Sequence, residues 1–354
     1  MRICFFNRSY YPDLGATGQL LTELAEDLVR DYGCKVSVVA GHPLVGRDGL
    51  RPRGWIPIRR EARNGVEIFR AWGTTFGPRR FAGRAANYLS YFLFACLAGL
   101  RVPRPDVIVS LTDPPIIGLA ALLAARWSGG RFVFLCQDIF PEVARLLEDF
   151  HNKTVNRLLD RINRFLIRRA DRVVALGETM RERLIMGKGA DPQKVMVIHN
   201  WADCSDIAPG AKRNPFSLSH GLAEAFVVMH SGNVGLSQSL DTLLDAADRL
   251  RHCSDLVVAV VGEGAKRGAL EARARSQALA NVQFFPYQQK ERLKDSFASA
   301  DVFIVSLKRG MGGYIVPSKL YGILAAGRPY VAAVEEGCEV SAITRKYDCG
   351  LLAE

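Results

Sequence analysis

The stretch VPSKLYGILAAGRP, residues 316–329, places a cation where a helix already carries positive charge. Pro317 suits the first helical turn, where its missing N–H costs nothing, and Gly327 followed by Pro329 is a stop signal. Ser318 can cap free amides at that end. Lys319 then falls in the first turn, where the macrodipole presents roughly half a positive charge. A lysine is tolerable there if something anionic, such as a phosphate, completes the site.

Four glycine-bearing turns offer matching backbone chemistry. Gly15, Ala16, Thr17 and Gly18 come after the apolar run RICFFN, and Gly232, Asn233 and Gly235 after FVVMH. Gly262, Glu263 and Gly264 close VVAVV, while Gly312 and Gly313 lie in KRGMGGY, just before the lysine helix. Turns of this kind bring amide N–H groups onto phosphate oxygens, although glycine serves a tight turn equally well. The last three turns and Lys319 share one half of the chain, so their convergence at one sheet edge says more than any single motif.

Carboxylates mark the first half. Asp113 in LTDPPIIG, and Asp138 and Glu142 in CQDIFPEVARLL, follow apolar runs. At C-terminal strand ends they could orient an acceptor hydroxyl or take its proton. Asp138 and Glu142 read equally as caps for the run VARLL, and both readings stay open. His230 ends a strand beside a glycine turn, where it either touches a ligand or is simply hydrogen-bonded in place. His42, His151, His199, His220 and His252 show no HxxxH or HExxH spacing. No D-x-D pair occurs, which disfavours a nucleotide-sugar site that holds its metal that way. No G-x-x-x-x-G-K-[ST] loop occurs either, so a P-loop NTPase is excluded.

The elements that must position these residues repeat. RICFFN, a glycine turn and the helix LLTELAEDLVRDYG match FVVMH, SGNVGLSQS and LDTLLDAADRL about two hundred residues later. Leu20, Leu21, Leu24, Ala25 and Leu28 form the stripe of one helix, and Leu240, Leu243, Leu244, Ala247 and Leu250 that of the other. Each unit is the usual opening of a doubly wound α/β domain. Further strands are expected at KVSVVAGHP, VEIFRAWG, DVIVSLTDPP, RFVFLCQD, RVVALGE and VMVIHN, then at DLVVAVVGEG, VQFFPY, DVFIVSLK and YVAAVEE. Continuous Val/Ile/Phe runs between amphipathic helices predict parallel sheets covered on both faces. The polar segment 201–224 reads as a linker, which gives domains at 1–203 and 204–354. Ligands in such folds bind beyond the C-terminal strand ends.

The 354 residues are 49% hydrophobic, enough for two sizeable cores. Eight scattered cysteines without a CxxC pair exclude a zinc knuckle and fit a reducing cytosol, and the N-terminus lacks a signal-peptide apolar region. A cytoplasmic protein is expected. Its net charge of +11 lies wholly in residues 1–200, with 30 Lys and Arg against 19 Asp and Glu. Nucleic acid, an anionic membrane surface or a merely solvated face would each account for that. NYLSYFLFACLAGL, 87–100, is too short to span a bilayer, which needs about 20 residues, and is flanked by Arg79, Arg80, Phe81, Arg84, Arg101 and Arg104. RLLDRINRFLIRRADR, 157–172, interleaves arginines with Leu158, Leu159, Ile162, Phe165, Leu166 and Ile167. Basic amphipathic helices can lie among lipid headgroups, whereas a buried crossover helix and a solvated face explain the same pattern.

Taken together, YYPDLGATGQLLTELAEDL, LTDPPIIG, QDIFPEVA, VIHNWAD, SGNVGLSQSLDTLLDAA, VVGEG and VPSKLYGILAAGRP resemble the family 4 glycosyltransferases. The likeness is strongest to bacterial enzymes of colanic-acid, capsule and O-antigen biosynthesis, and covers essentially the whole chain. It implies the GT-B fold, two Rossmann-like domains facing across a cleft, with the acceptor on the first and a nucleotide-diphosphate sugar on the second. It further implies that SGNVG and VPSKLYG meet the donor diphosphate through Ser318, Lys319 and backbone amides. VVGEG and Pro286–Tyr287 would flank the base, and LGATG would reach the phosphates from the first domain. Two departures stand out. The family commonly carries two glutamates where Tyr314 and Gly322 stand, which leaves Glu335, Glu336 or Glu339 for the ribose. GLSQS also lacks the usual basic residue, so Lys319 carries most of the positive charge. Relatives generally continue past CGLLAE through helices that cross back to the first domain, and the chain is expected to lack these.

The expected activity is therefore metal-independent, retaining transfer of a sugar to a polyprenyl-diphosphate-linked saccharide at the inner membrane face, with no cofactor. Lys319, Asp138 and Asp113 are its candidate catalytic residues. Two rivals are a nucleotide-sugar 2-epimerase on the same fold and a non-catalytic nucleotide-binding relative. The epimerase would need clustered carboxylates and histidines, which the sequence does not show. Nucleic acid as a partner lacks the aromatic platforms expected for it.

Overall fold

The computed structural model describes residues 1–13, 15–43, 56–77, 81–147 and 152–353. Arg79, Arg80 and His151 lie outside the described residues. The chain divides into two compact units, Met1–His199 and Asn200–Glu354.

The first unit runs β1 (Arg2–Phe6), α1 (Ala16–Arg30), β2 (Lys35–Gly41), β3 (Ile58–Arg63), β4 (Val66–Ala71), α2 (Phe81–Gly99), β5 (Val107–Ser110) and α3 (Ile117–Ser128). It continues through β6 (Arg131–Leu135), α4 (Glu142–Leu146), α5 (Lys153–Arg169), β7 (Arg172–Ala175), α6 (Glu178–Glu182) and β8 (Val195–Val197). Among the described residues its sheet has the order β3-β4-β2-β1-β5-β6-β7-β8. All pairs are parallel except β3 with β4. Alternation along β1 explains why both faces are covered. Ile3 and Phe5 join Leu21 and Ala25 of α1 in one core, and Phe6 reaches the opposite face. A methyl group on Gly99 of α2 would lie 2.7 Å from the Phe6 ring and 3.2 Å from Ala124 of α3. Glycine is what lets α2 sit that close to the sheet.

The second unit runs α7 (Pro215–Ser219), β9 (Phe226–Ser231), α8 (Leu240–Arg249), β10 (Leu256–Val261), α9 (Arg267–Ser276), β11 (Val282–Phe285) and α10 (Lys290–Ala298). Then come β12 (Val302–Ser306), α11 (Lys319–Ala325), β13 (Tyr330–Ala333), α12 (Glu339–Tyr347) and β14 (Gly350–Ala353). Its sheet is parallel in the order β11-β10-β9-β12-β13-β14. In both units the first strand is flanked by the second on one side and the fourth parallel strand on the other. Strand order reverses at that point, which is where doubly wound sheets place their ligands, beyond the strand ends.

Three expectations change. The segment 201–224 is not a free linker. Lys212 bonds Asp301 and the Ala225 carbonyl, and Asn214 caps α7 while donating to Ser299 and the Asp295 carbonyl. It is part of the second unit because its polar residues close off helix and strand ends there. Strand β3 was hidden by its charged sequence IRREAR, and β14 was likewise not anticipated. Ala16, Thr17 and Gly18 belong to the first turn of α1, with Gly15 as its N-cap, instead of forming a loop.

Candidate functional site

Lys319 opens α11, whose N-cap residue Ser318 makes no side-chain cap bond. Pro317 precedes the helix and accepts from the Leu320 amide through its carbonyl at 3.3 Å. The lysine stem passes over Gly232, so that a methyl group there would stand 3.5 Å from Cε and 3.7 Å from Nζ. Nζ ends 3.2 Å from Nε2 and 3.5 Å from Nδ1 of His230. That histidine is fully buried at the end of β9, with Nε2 also 3.4 Å from the Asn233 carbonyl oxygen. Burial, then the Lys319 charge, hold the imidazole well below its ordinary pKa, so it is neutral. Among the described residues no carboxylate pairs with Lys319, and burial pushes its amine down to about 7. The cluster is one counter-ion short.

The backbone around it is packed to contact. Gly232 and Gly262 adopt φ of +123° and +144°. A methyl group on Gly262 would lie 1.8 Å from the Gly232 carbonyl oxygen, and one on Gly264 2.3 Å from that of Val234. Hydrogen bonds lock the crossing: Gly232 N–H to Val261 at 2.9 Å, Val234 N–H to Glu263 at 2.9 Å, and Gly235 N–H to Gln238 Oε1 at 3.0 Å. Glu263 turns its carboxylate to Arg267, 2.6 Å away. Tyr287 comes just after β11, two strands from β9 and therefore about 10 Å across the same edge.

The loop before α11 has an internal clasp. The Glu335 carboxylate, just past β13, accepts the Gly310 amide at 3.0 Å and the Gly312 amide at 2.8 Å. The Gly312 amide, expected to meet phosphate, is thus engaged by a carboxylate, while Gly313 follows with φ of +76°. Glu336 pairs with Arg345, and Glu339 is buried in the first turn of α12. Gly322 points elsewhere: a methyl group on it would meet the Phe297 ring at 3.1 and 3.3 Å. A glutamate at 322 would enter that apolar packing, which accounts for the glycine.

In the first unit the strand-order reversal lies between β1 and β5. Arg8 and Asp113 meet there, with Nε 3.3 Å from both carboxylate oxygens and the Arg8 amide 2.8 Å from the Asp113 carbonyl. Asp138 follows β6 and donates its amide to Thr112 Oγ1 at 3.3 Å. Its carboxyl does not cap α4, whose N-cap is Pro141. Glu142 is held instead by buried Lys188, 2.7 Å away. Arg8, Thr112 and Lys188 were not singled out in the sequence; only their nearness to strand ends marked the first two.

Burial, and secondarily the Asp113 charge, push the Asp138 carboxyl up to about 7. An unfolded aspartate titrates near about 3.9. Between these values the folded chain keeps a proton that the unfolded chain has lost, so this residue lowers stability as pH rises toward 7. Asp138→Asn should therefore melt higher than wild type at pH 8, with the gap closing toward pH 4. Thermal denaturation at several pH values checks this, and a pH-independent gap would refute it.

Comparisons with known proteins agree with this architecture. Residues 15–201 match the family model described as glycosyl transferase 4-like domain, and residues 217–354 match glycosyl transferases group 1. The chain is 31% identical over 262 residues to a probable glycosyltransferase, WbjE, of Pseudomonas aeruginosa, covering 73% of this chain and 64% of that protein. It is 27% identical over 363 residues to the putative colanic acid biosynthesis glycosyl transferase WcaI of Escherichia coli, covering 98% and 86%. Among solved structures, Anabaena HepE in complex with UDP superposes with a TM-score of 0.67 at 16% identity, covering 100% and 85%.

Proposed function

We propose, from the premise that this chain belongs to the glycosyl transferase 4-like family, that it transfers a sugar from a nucleotide-diphosphate donor in surface polysaccharide biosynthesis. One observation carries the reading. Lys319 sits beyond the central strand of the second unit, half-buried, lacking a counter-charge among the described residues and pressed onto a glycine turn. A diphosphate supplies the missing charge. HepE, on the same fold, has been solved with UDP, and WcaI bears the name of colanic acid biosynthesis, both of which support the donor and pathway class.

In the proposed reaction the anomeric carbon's bond to the diphosphate oxygen breaks. A bond to the acceptor hydroxyl forms on the same face, so configuration is retained. The hydroxyl proton passes to the departing phosphate, and Lys319 stabilises the charge that develops there. This chemistry needs no metal, because the lysine performs the neutralisation. The second unit holds the donor: Gly232, Asn233, Gly235, Ser318 and Lys319 at the phosphates, Gly262, Glu263 and Tyr287 toward the base. The first unit holds a polyprenyl-diphosphate-linked acceptor at the inner membrane face, with Asp113 and Asp138 beside its hydroxyl.

A proton count tests this. Lysine is largely neutral in the free protein at pH 8 and becomes charged against a diphosphate, so binding takes up a proton. Calorimetry with UDP, GDP, dTDP and CDP, in EDTA and in buffers of differing ionisation enthalpy, should find one nucleotide that binds with an uptake approaching one proton. Uptake should fall toward pH 6, where the amine is already charged. At saturating nucleotide Lys319→Met should show only the nucleotide's own contribution. Binding that requires Mg²⁺, or uptake unchanged in the variant, would overturn the assignment.

A further inference from the structure

Helices α2, α3 and α5 form one layer over the Phe6 face of the first unit. Gly99 joins α2 to α3 at Ala124. At Gly118, a methyl group would lie 2.6 Å from Leu166, which joins α3 to α5. The outer side of this layer is not the outer side of an ordinary covering layer.

On α2, Leu89, Leu93 and Leu97 recur every four residues and are 55%, 61% and 50% exposed. That helix carries a single charged residue, Arg84. On α3 the outward positions are Leu123, Arg126 and Trp127, the last 75% exposed. On α5 the row changes to exposed Arg157, Arg161, Arg168 and Arg169, interleaved with Leu158 and Phe165, and the Arg169 guanidinium lies 5.5 Å from the Phe165 ring. The three helices hold eight basic residues and one acid. That acid, Asp160, is already engaged by Lys188 at 2.6 Å and Arg164 at 2.8 Å.

We infer that this surface docks the protein on an anionic lipid bilayer, with the leucine row and Trp127 entering the headgroup boundary and the α5 arginines meeting lipid phosphates. The inference names the surface for the membrane contact proposed above and rests on that part of the reading. Charge complementarity selects the occupant. A second copy packed through the same face would bring further arginines and only Asp160, a carboxylate already paired with Lys188 and Arg164, whereas a bilayer of anionic lipid answers both halves of it. Tryptophan suits the position, since its ring favours the interface between hydrocarbon and water. No helix among the described residues is long and apolar enough to cross a membrane, so the contact is superficial.

Vesicle flotation at 0.15 M salt tests the surface, with phosphatidylcholine vesicles containing or lacking phosphatidylglycerol. The wild-type protein should float with the anionic vesicles and remain behind with the neutral ones. Leu93→Glu/Trp127→Glu should lower partition at least about tenfold, as should Arg161→Glu/Arg168→Glu. Tyr32→Glu, at a residue 76% exposed just past α1, the helix on the opposite face of the sheet, should leave it unchanged. Equal flotation of all variants would overturn the inference. So would a wild-type dimer that Leu93→Glu dissociates while no form binds vesicles. Nucleotide binding, measured without vesicles, is expected to be the same in every variant. Its loss in all forms would count against the transferase reading, while flotation alone decides the surface.

Discussion

Replacing Lys319 with methionine should lower kcat about 10²–10³-fold while the chain stays folded, the cost typical of removing one preorganised donor from a developing oxyanion. The stem of methionine fills the space over Gly232, so packing is kept and only the charge is removed. The loss should fall mainly on kcat, because the leaving phosphate gains charge in the transition state beyond what it carries in the bound donor. Lys319→Arg should not restore the rate. A guanidinium is wider, and it cannot become neutral where burial without a counter-charge disfavours the cation. Transfer of labelled sugar, with near-UV circular dichroism as the check on folding, measures both. A variant within a few-fold of wild type would remove Lys319 from the chemistry.

Gly262→Ala should abolish donor binding and destabilise the second unit by about 3 kcal/mol or more, a cost reserved for backbone strain and severe overpacking. The new methyl group would arrive 1.8 Å from the Gly232 carbonyl oxygen, at a φ of +144° that side chains rarely adopt. Neither loop can retreat cheaply, because Gly232 and Val234 are tied to the neighbouring strand end by hydrogen bonds of 2.9 Å. Gly268 makes the internal control. It lies in α9 with nothing within 4 Å of an added methyl group, so Gly268→Ala should stabilise by about 0.5–1 kcal/mol through helix propensity. Urea melts of the pair decide whether the glycine turn matters for its geometry or merely tolerates glycine. Equal effects would refute the steric account.

Much of this was legible because parallel strands buried on both faces read as unbroken Val/Ile/Phe runs, and their helices as stripes. Where the pattern broke, the reading failed. Strand β3 is an edge whose charges are paired across to β4, Arg60 with Glu67 and Glu61 with buried Arg70, so no apolar run marks it. The turn Asn64–Gly65, with φ of 45° and 80°, was the available clue, since Asn-Gly favours a tight hairpin. The site was half legible. Lys319 and the glycine turns carry local signatures, but its neighbour His230 is 89 residues away, and only the β9–β12 pairing brings the two together. Glu335 stood out only as a candidate for the ribose, and its hold on the Gly310 and Gly312 amides was hidden. A carboxylate two residues past a strand says nothing about which amides it will hold.

That carboxylate has a thermodynamic consequence. A glycine-rich loop is the costliest kind of chain to immobilise, about 1–2 kcal/mol of backbone entropy per residue fixed. By gripping the Gly310 and Gly312 amides, Glu335 settles that ordering during folding, before any ligand arrives. The segment leading into Pro317, Ser318 and Lys319 is then already stiff at the moment of encounter. Little of a nucleotide's intrinsic affinity is spent on freezing this loop, and association there is closer to docking on a rigid rim than to coupled folding.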